Sequence, residues 1–412
     1  MMLRKRINDP KIQYLMVLFA NAITILLAFV INVVITHTMK TESYGFYRAF
    51  VNSTTMLTTL TGFGFSLTLS KDFAVCKESK EKKQLTAGAL LINLAISLGA
   101  FLVLLAISPF TSFLGFEIPY YLLLAAAFVW TLLFNQFYLF RFQGENNMVS
   151  YSLLTAIPQV LLFFSYVLCY LMGWLVSAFA AIAFYLVGHL LIIAVFVVLD
   201  LPSFRNIRST IKDLLRRNRE YGFQLYLGSI FSVASAQILN LLVATLAGLG
   251  EYALFTMGMS IATPIAQIPA VMGTISFKKN VDLKKIPSKQ MIVTFAMTAI
   301  AFVAYALFLK FLFPLLLGEQ YRNCTSYGIV MMFYYSFIGL GDFFNRFIMA
   351  KGQGKMIRNS SFVVGGVLII SASVLIPFFK IKGVILAEIL SGIAYFFMMI
   401  TRYFKTIKLT KK

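Results

Sequence analysis

Charge is scarce in this chain, and acidic charge is scarcer still. Only 12% of the 412 residues are charged, with 15 Asp and Glu set against 36 Lys and Arg. Soluble domains carry roughly twice that charged fraction. Histidine and cysteine are also rare, at 2 and 3 residues. No Cys/His spacing suits a metal site, and Cys76, Cys169 and Cys324 fall at different predicted depths, which excludes a disulfide framework. Long polar segments are missing as well. The net charge of +21 therefore sits on no soluble domain that would present it to nucleic acid, and it reads as loop charge facing anionic lipid headgroups.

What the chain does have is hydrophobic length. Apolar runs of about 20 residues are long enough to cross the hydrocarbon core as helix. Twelve spans are expected, near 13–35, 49–70, 85–107, 120–140, 151–172, 174–199, 223–246, 252–277, 291–313, 325–349, 360–378 and 383–401. Basic residues are confined to every second gap: 29 of the 36 Lys and Arg fall in seven polar segments. Lys and Arg accumulate in short cytoplasmic loops, so both termini are expected inside. The first apolar run follows Arg4, Lys5 and Arg6, but no small-residue cleavage site follows it, and it reads as a retained span. The fold class predicted is an all-α polytopic membrane protein.

The longest cytoplasmic link, Asp200 to Gly222, divides the chain. Six helices are expected in 1–204, a linker in 205–222 and six more helices in 223–412. Within the linker, Ile207, Ile211, Leu214 and Leu215 share one helical face, and Arg208, Lys212, Arg216 and Arg219 another. This predicts either an amphipathic helix on the inner leaflet or a solvated connector. Loop motifs recur in order between the halves: Tyr44 with Tyr252, Gly115 with Gly318, Gly144 with Gly354, at offsets of 208, 203 and 210. The pattern predicts two parallel six-helix repeats.

Tyr44-Gly-Phe-Tyr47 followed by Gly62-Phe-Gly64, then Leu317-Gly-Glu-Gln-Tyr321 and Ala350-Lys-Gly-Gln-Gly354-Lys355, and finally Ile376-Pro377 with Gly383-Val-Ile-Leu-Ala387, resemble the punctuation of bacterial polysaccharide (O-antigen type) flippases. That family lies in the multidrug/oligosaccharidyl-lipid/polysaccharide exporter superfamily. The resemblance covers nearly the whole chain. It implies a non-enzymatic transporter of the bacterial inner membrane, without a cofactor. The implied cargo is an undecaprenyl-pyrophosphate-linked oligosaccharide repeat unit, flipped by alternating access for O-antigen, lipopolysaccharide, capsule or exopolysaccharide. Membrane lipids, a proton or sodium gradient and a polysaccharide polymerase are the partners it brings into view. These motifs are turns and close approaches, so they mark a fold and not a site.

Such a carrier needs a polar path for sugar and a cation for pyrophosphate. In span two, Arg48, Asn52, Thr55, Thr59, Gly62 and Ser66 recur at steps of three and four, on one helical stripe. Asn21 and Asn32 in span one, and Gln237 and Asn240 in span seven, extend the candidate path. The competing reading is a packing seam, because small and hydroxyl residues also let membrane helices approach. Arg48 is the leading cation for phosphate, since a guanidinium binds two oxygens at once; snorkelling to headgroups is the alternative. Lys71 and Lys278 near the cytoplasmic mouth are further candidates. Asp342 and Arg346, four apart in span ten, are expected to share a face and pair, either as a structural pair or as an ion-coupling site. Glu388 is read as a surface carboxylate near Lys380 and Lys382 or, if buried, as a protonatable group. His189 in span six is a proton-exchange candidate or a packing residue. Pro158, Pro264 and Pro269 are expected kinks. Gly352-Gln-Gly354-Lys355 lacks phosphate-loop spacing and is excluded as a nucleotide site. A membrane polymerase or ligase is disfavoured by short outer loops. A cation-coupled small-molecule or drug antiporter of the same fold remains the alternative.

Overall fold

The computed structural model describes residues 10–76, 78–113, 118–145, 147–351 and 353–409; the side chains of 10–22 and of several later helix residues, Lys278 and Lys355 among them, fall outside that description. The described residues are helical throughout, without strands. They form α1 (Pro10–Thr38), α2 (Thr41–Thr61), α3 (Phe65–Val75), α4 (Ser79–Phe113), α5 (Tyr120–Gly144), α6 (Met148–Leu171), α7 (Ala178–Asp200) and α8 (Ile207–Arg217). After a π-helical turn at Asn218–Gly222 come α9 (Phe223–Ala262), α10 (Pro264–Asp282), α11 (Ser288–Leu307), α12 (Cys324–Ala350), α13 (Gly354–Phe379) and α14 (Ile381–Leu409). Among the described residues, nine helices are long and apolar enough to cross a membrane. Helices satisfy their own backbone in lipid, which is why an apolar chain of this length takes this form. The protein is a multi-pass membrane protein.

Local chemistry places several helix ends. Asn147 caps α6 by accepting from the Ser150 amide (3.2 Å), and Ser177 caps α7 by accepting from the Ala180 amide (3.2 Å). The α7 helix stops where Leu201 adopts φ 48, just before Pro202. Span two differs from expectation. It is two helices broken at Gly62–Gly64, where Phe63 has φ 44 and Gly64 φ 77, because a left-handed pair cannot continue a right-handed helix. Span eight is likewise divided, with Pro264 opening α10 instead of kinking a continuous helix. Between spans seven and eight only Gly248 (φ 82, ψ 167) interrupts α9.

The chain divides into two compact units, Met1–Ile230 and Phe231–Lys412. In the first, α1 packs along α6, α2 and α3 pack on α5, and α5 and α6 pack on α7. Its core gathers Phe73, Phe137, Tyr138, Phe142, Ile193 and Phe196. In the second unit, α10 packs on α12, and α12 and α13 on α14, around Phe343, Phe344, Phe347, Phe396, Met399 and Tyr403. The linker is neither a free connector nor a helix resting on lipid alone. Leu214 of α8 is fully buried in the core of the first unit, and a Cβ on Gly88 of α4 would meet its Cδ1 at 2.9 Å. Of the apolar face of α8, Leu214 is spent on the protein core, while Leu215 stays half exposed.

Candidate functional site

Helix α2 shows two polar faces with different fates. Ser53, Thr54, Leu57 and Thr58 are buried against the bundle. Arg48, Asn52, Thr55, Thr59 and Gly62 lie on the next stripe and stay half-buried. The packing seam and the accessible stripe are thus separate rows of one helix. The hydroxyls of Thr55 and Thr59 donate to the carbonyls of Val51 and Thr55 (both 2.9 Å). Ser66 departs from the expected stripe: the break at Gly62–Gly64 turns it into the core, 7% exposed. Gln136 of α5 joins in its place, its Oε1 3.6 Å from where a Gly62 Cβ would stand. An amide inside an apolar run was the only sequence signal for Gln136.

Arg48 at the head of the stripe acts electrostatically on the Tyr47 and Tyr185 phenols. Tyr185 in turn lies 4.4 Å from the His189 ring, centroid to centroid. The His189 Nδ1–H donates to the Tyr185 carbonyl (2.9 Å), which fixes the ring on its own helix. The structure therefore joins Arg48 and His189, which the sequence left in unrelated spans, through one tyrosine. Asn32 is half-buried on α1, and Asn21 is among the residues whose side chains lie outside the described set. Lys71 is exposed in the second half of α3.

In the second unit, Asn240 is buried, and neither its Oδ1 nor the Gln237 Oε1 has a hydrogen-bond partner within the described residues. Asp342 does not pair with Arg346. Its Oδ1 instead accepts from the Tyr395 hydroxyl at 2.6 Å, and Asn345 Nδ2 donates to that same hydroxyl at 3.1 Å. A phenol one helix away satisfies the carboxylate without confining two side chains to one narrow row. Glu388 is not a surface group beside Lys380 and Lys382. It is 3% exposed, its Oε2 has no hydrogen-bond partner within the described residues, and Tyr334 lies within electrostatic reach of both Glu388 and Asp342.

Sequence reasoning missed the strongest ionic cluster by counting Arg141 as loop charge. Arg141 is 7% exposed. It forks onto both carboxylate oxygens of Asp200, donates to Thr86 Oγ1 (3.2 Å) and reaches Glu145 (3.5 Å), which Lys82 also pairs (2.9 Å). Its guanidinium lies 4.8 Å from the Phe73 ring centroid. Nearby, Arg217 pairs with Asp72 (3.4 Å), Thr68 donates to Asn218 Oδ1 (2.8 Å), and Asn218 Nδ2 donates to the Phe63 carbonyl (2.9 Å). The linker is thereby fastened to the break in span two. Burial holds the Asp72 carboxyl above its ordinary value, against the lowering pull of Arg217 and Lys71. Burial and the Glu81 contact push the Cys76 thiol up to about 11. All three cysteines are free and buried.

Residues 13–277 match the family model described as polysaccharide biosynthesis protein. No curated protein matches the chain. Among solved structures, a lipid II flippase, MurJ, in an inward closed conformation is similar at 13% identity and TM-score 0.67, covering 96% of this chain and 89% of that one. An inward-facing multidrug resistance MATE family transporter of the MOP superfamily is similar at 17% identity and TM-score 0.62, covering 93% and 95%. A MOP superfamily transporter from Pyrococcus furiosus is similar at 16% identity and TM-score 0.52, covering 97% of each chain. At these identities the likeness establishes a shared fold.

Proposed function

The chain belongs to the polysaccharide biosynthesis protein family, and from that premise we propose that it flips an undecaprenyl-pyrophosphate-linked oligosaccharide repeat unit across the bacterial inner membrane for surface polysaccharide. The observation that carries this reading is the half-buried polar row of α2, with Arg48 at its head and Asn52, Thr55, Thr59 and Gly62 below it. A row of hydroxyl and amide groups left off the packed face of a membrane unit supplies hydrogen bonds to sugar, and the guanidinium supplies a bidentate contact to phosphate. Gln237 and Asn240 present unmet amide oxygens of the same character in the second unit.

The helix neighbours recur between the units, α2 and α3 on α5 as α10 on α12, and α6 on α7 as α13 on α14. This supports a twelve-span chain of two six-helix repeats with both termini cytoplasmic, working by alternating access. Deletion followed by complementation tests the function. Loss of surface polysaccharide with accumulation of lipid-linked repeat units is the expected result, reversed by the wild-type chain. Arg48→Ala is expected to abolish export at unchanged protein level, and normal export in that variant would remove Arg48 from the path.

A second reading, a cation-coupled small-molecule antiporter, has its own support in the second unit. Glu388 and Asp342 are intramembrane carboxylates without an ion pair within the described residues, and such groups serve ion coupling by default. In the flippase reading they couple flipping to a proton or sodium gradient. Glu388→Gln is expected to remove the dependence of flipping on the proton gradient. Rescue of a cation- or drug-efflux defect without rescue of polysaccharide would favour the antiporter.

A further inference from the structure

A groove of about 410 Å³ runs along the first unit beside the broken span. Leu91, Ala95 and Ile96 of α4 form one wall, Ile211 and Leu215 of α8 another, and Phe63 of the break stands at the rim. No polar side chain lines it, so it offers water none of the partners that hold water in a cavity. Phe63 is 39% and Leu215 50% exposed. In a membrane protein such a groove takes hydrocarbon.

The surroundings narrow the choice of hydrocarbon. Arg208, Lys212 and Arg216 are exposed along α8 on the flank next to Leu215, and Arg219 follows in the π-helical turn. One helix therefore offers an apolar edge to the groove and a cationic edge beside it, which suits an amphiphile with a long apolar body and an anionic head. Phe63 directly follows Gly62, the last residue of the polar row of α2, and Gln136 stands at the same point. The groove thus opens where the sugar path ends. Phe63 also holds a left-handed backbone (φ 44), a strained placement for a bulky residue of the kind found at ligand clamps.

We propose that this groove seats the isoprenoid chain of the lipid-linked cargo during loading, with the diphosphate at the basic edge of α8 and the saccharide directed onto the α2 row. The assignment rests on the flippase reading above. Ordinary phospholipid also reaches the apolar groove, but it brings a single phosphate to the basic edge where the cargo brings two, and it has no saccharide to engage the adjoining polar row.

The test uses the full chain carrying a benzophenone side chain at Phe63, on the exposed rim of the groove, in nanodiscs of phosphatidylethanolamine and phosphatidylglycerol with undecaprenyl diphosphate as a minor component. Photoadducts to the polyprenyl chain are expected at about tenfold above its mole fraction, the preference a 1.4 kcal/mol difference gives. Arg208→Glu with Lys212→Glu should abolish that enrichment while phospholipid adducts persist. Adducts in simple proportion to lipid composition would make the groove a generic acyl site and overturn the proposal. In cells, Ala95→Trp, which fills the groove, should block complementation at normal protein level; the photoadduct measurement does not depend on that variant folding. If the labelled chain restores polysaccharide but shows no polyprenyl enrichment, the groove assignment alone falls. If wild type does not restore it, the flippase reading and this proposal fall together.

Discussion

The two units share some helix neighbours, α6 on α7 as α13 on α14, yet handle charge in opposite ways. All five ion pairs among the described residues lie in the first unit: Lys82–Glu145, Arg141–Glu145, Arg141–Asp200, Arg216–Asp213 and Arg217–Asp72. The acids inside the helices of the second unit are held differently, Asp342 by a tyrosine hydroxyl and Glu388 with an unpartnered oxygen. A charge without a counter-charge in low dielectric carries a penalty of several kcal/mol. Mutually satisfied charges anchor a structure, while unsatisfied ones are available to a passing ion. The difference is one of partners: the first unit pairs its buried charges at one end and leaves a polar row half-buried below Arg48, and the second leaves Asp342 and Glu388 without a counter-charge within the described residues. A seam differs as well. Helix α1 packs along α6 in the first unit, whereas in the second an apolar groove of about 430 Å³ lies between α9 and α13, lined by Ile238, Leu242, Leu368 and Ile376 among others.

The sharpest way to break this comparison is to remove the anchor. Arg141→Ala strands Asp200, while Glu145 keeps Lys82, and is expected to destabilise the protein by about 3–5 kcal/mol, read as a large drop in thermal midpoint in detergent. Arg216→Ala provides the contrast, because that pair is 70% and 55% exposed and such pairs contribute roughly 0–1 kcal/mol. Equal midpoints for the two variants would contradict the anchor. Next in size is Tyr395→Phe, which removes the hydrogen bond on Asp342. A hydrogen bond to a charged group is worth about 1.5–3 kcal/mol, and the loss should appear in the melting of the protein and in the ion dependence of transport.

A smaller pair of changes tests the two rows of α2. Thr58→Val, in the buried seam, is expected to lower stability by about 1 kcal/mol with transport largely kept. Thr59→Val, on the accessible row, should leave the melting curve in place and reduce transport. The opposite pattern would return the row to packing. Smallest is Asp72→Asn. Because burial raises the Asp72 carboxyl in the folded state, the native protein holds that proton more tightly than the unfolded chain. Its contribution is therefore most favourable below the ordinary carboxylate range and declines as pH rises through the raised value. Melting curves across that range should lose this slope in the variant, and an unchanged slope would assign it to another group.

Much of the fold was legible. Helices and membrane crossing follow from local hydropathy, and the Gly62-Phe-Gly64 motif was visible, though its effect was not. Helical spacing put Arg48, Asn52, Thr55 and Thr59 on one row, but it could not say that the neighbouring row, Ser53, Thr54 and Thr58, would take the packing. Asp342 and Arg346 share spacing that permits a pair, and spacing carries no knowledge of Tyr395. Arg141 looked like any other residue of a basic loop.

The sequence by itself determined that the chain crosses a membrane many times as helix, because partitioning into hydrocarbon is a sum over contiguous residues and backbone satisfaction in lipid is local to each helix. Only the tertiary structure decided which polar groups are anchors, which are accessible and which are unmet. Those outcomes depend on partners far apart in the chain, Arg141 with Asp200, Asp342 with Tyr395, Asn218 with Thr68, and a low-dielectric interior makes each presence or absence of a partner decisive.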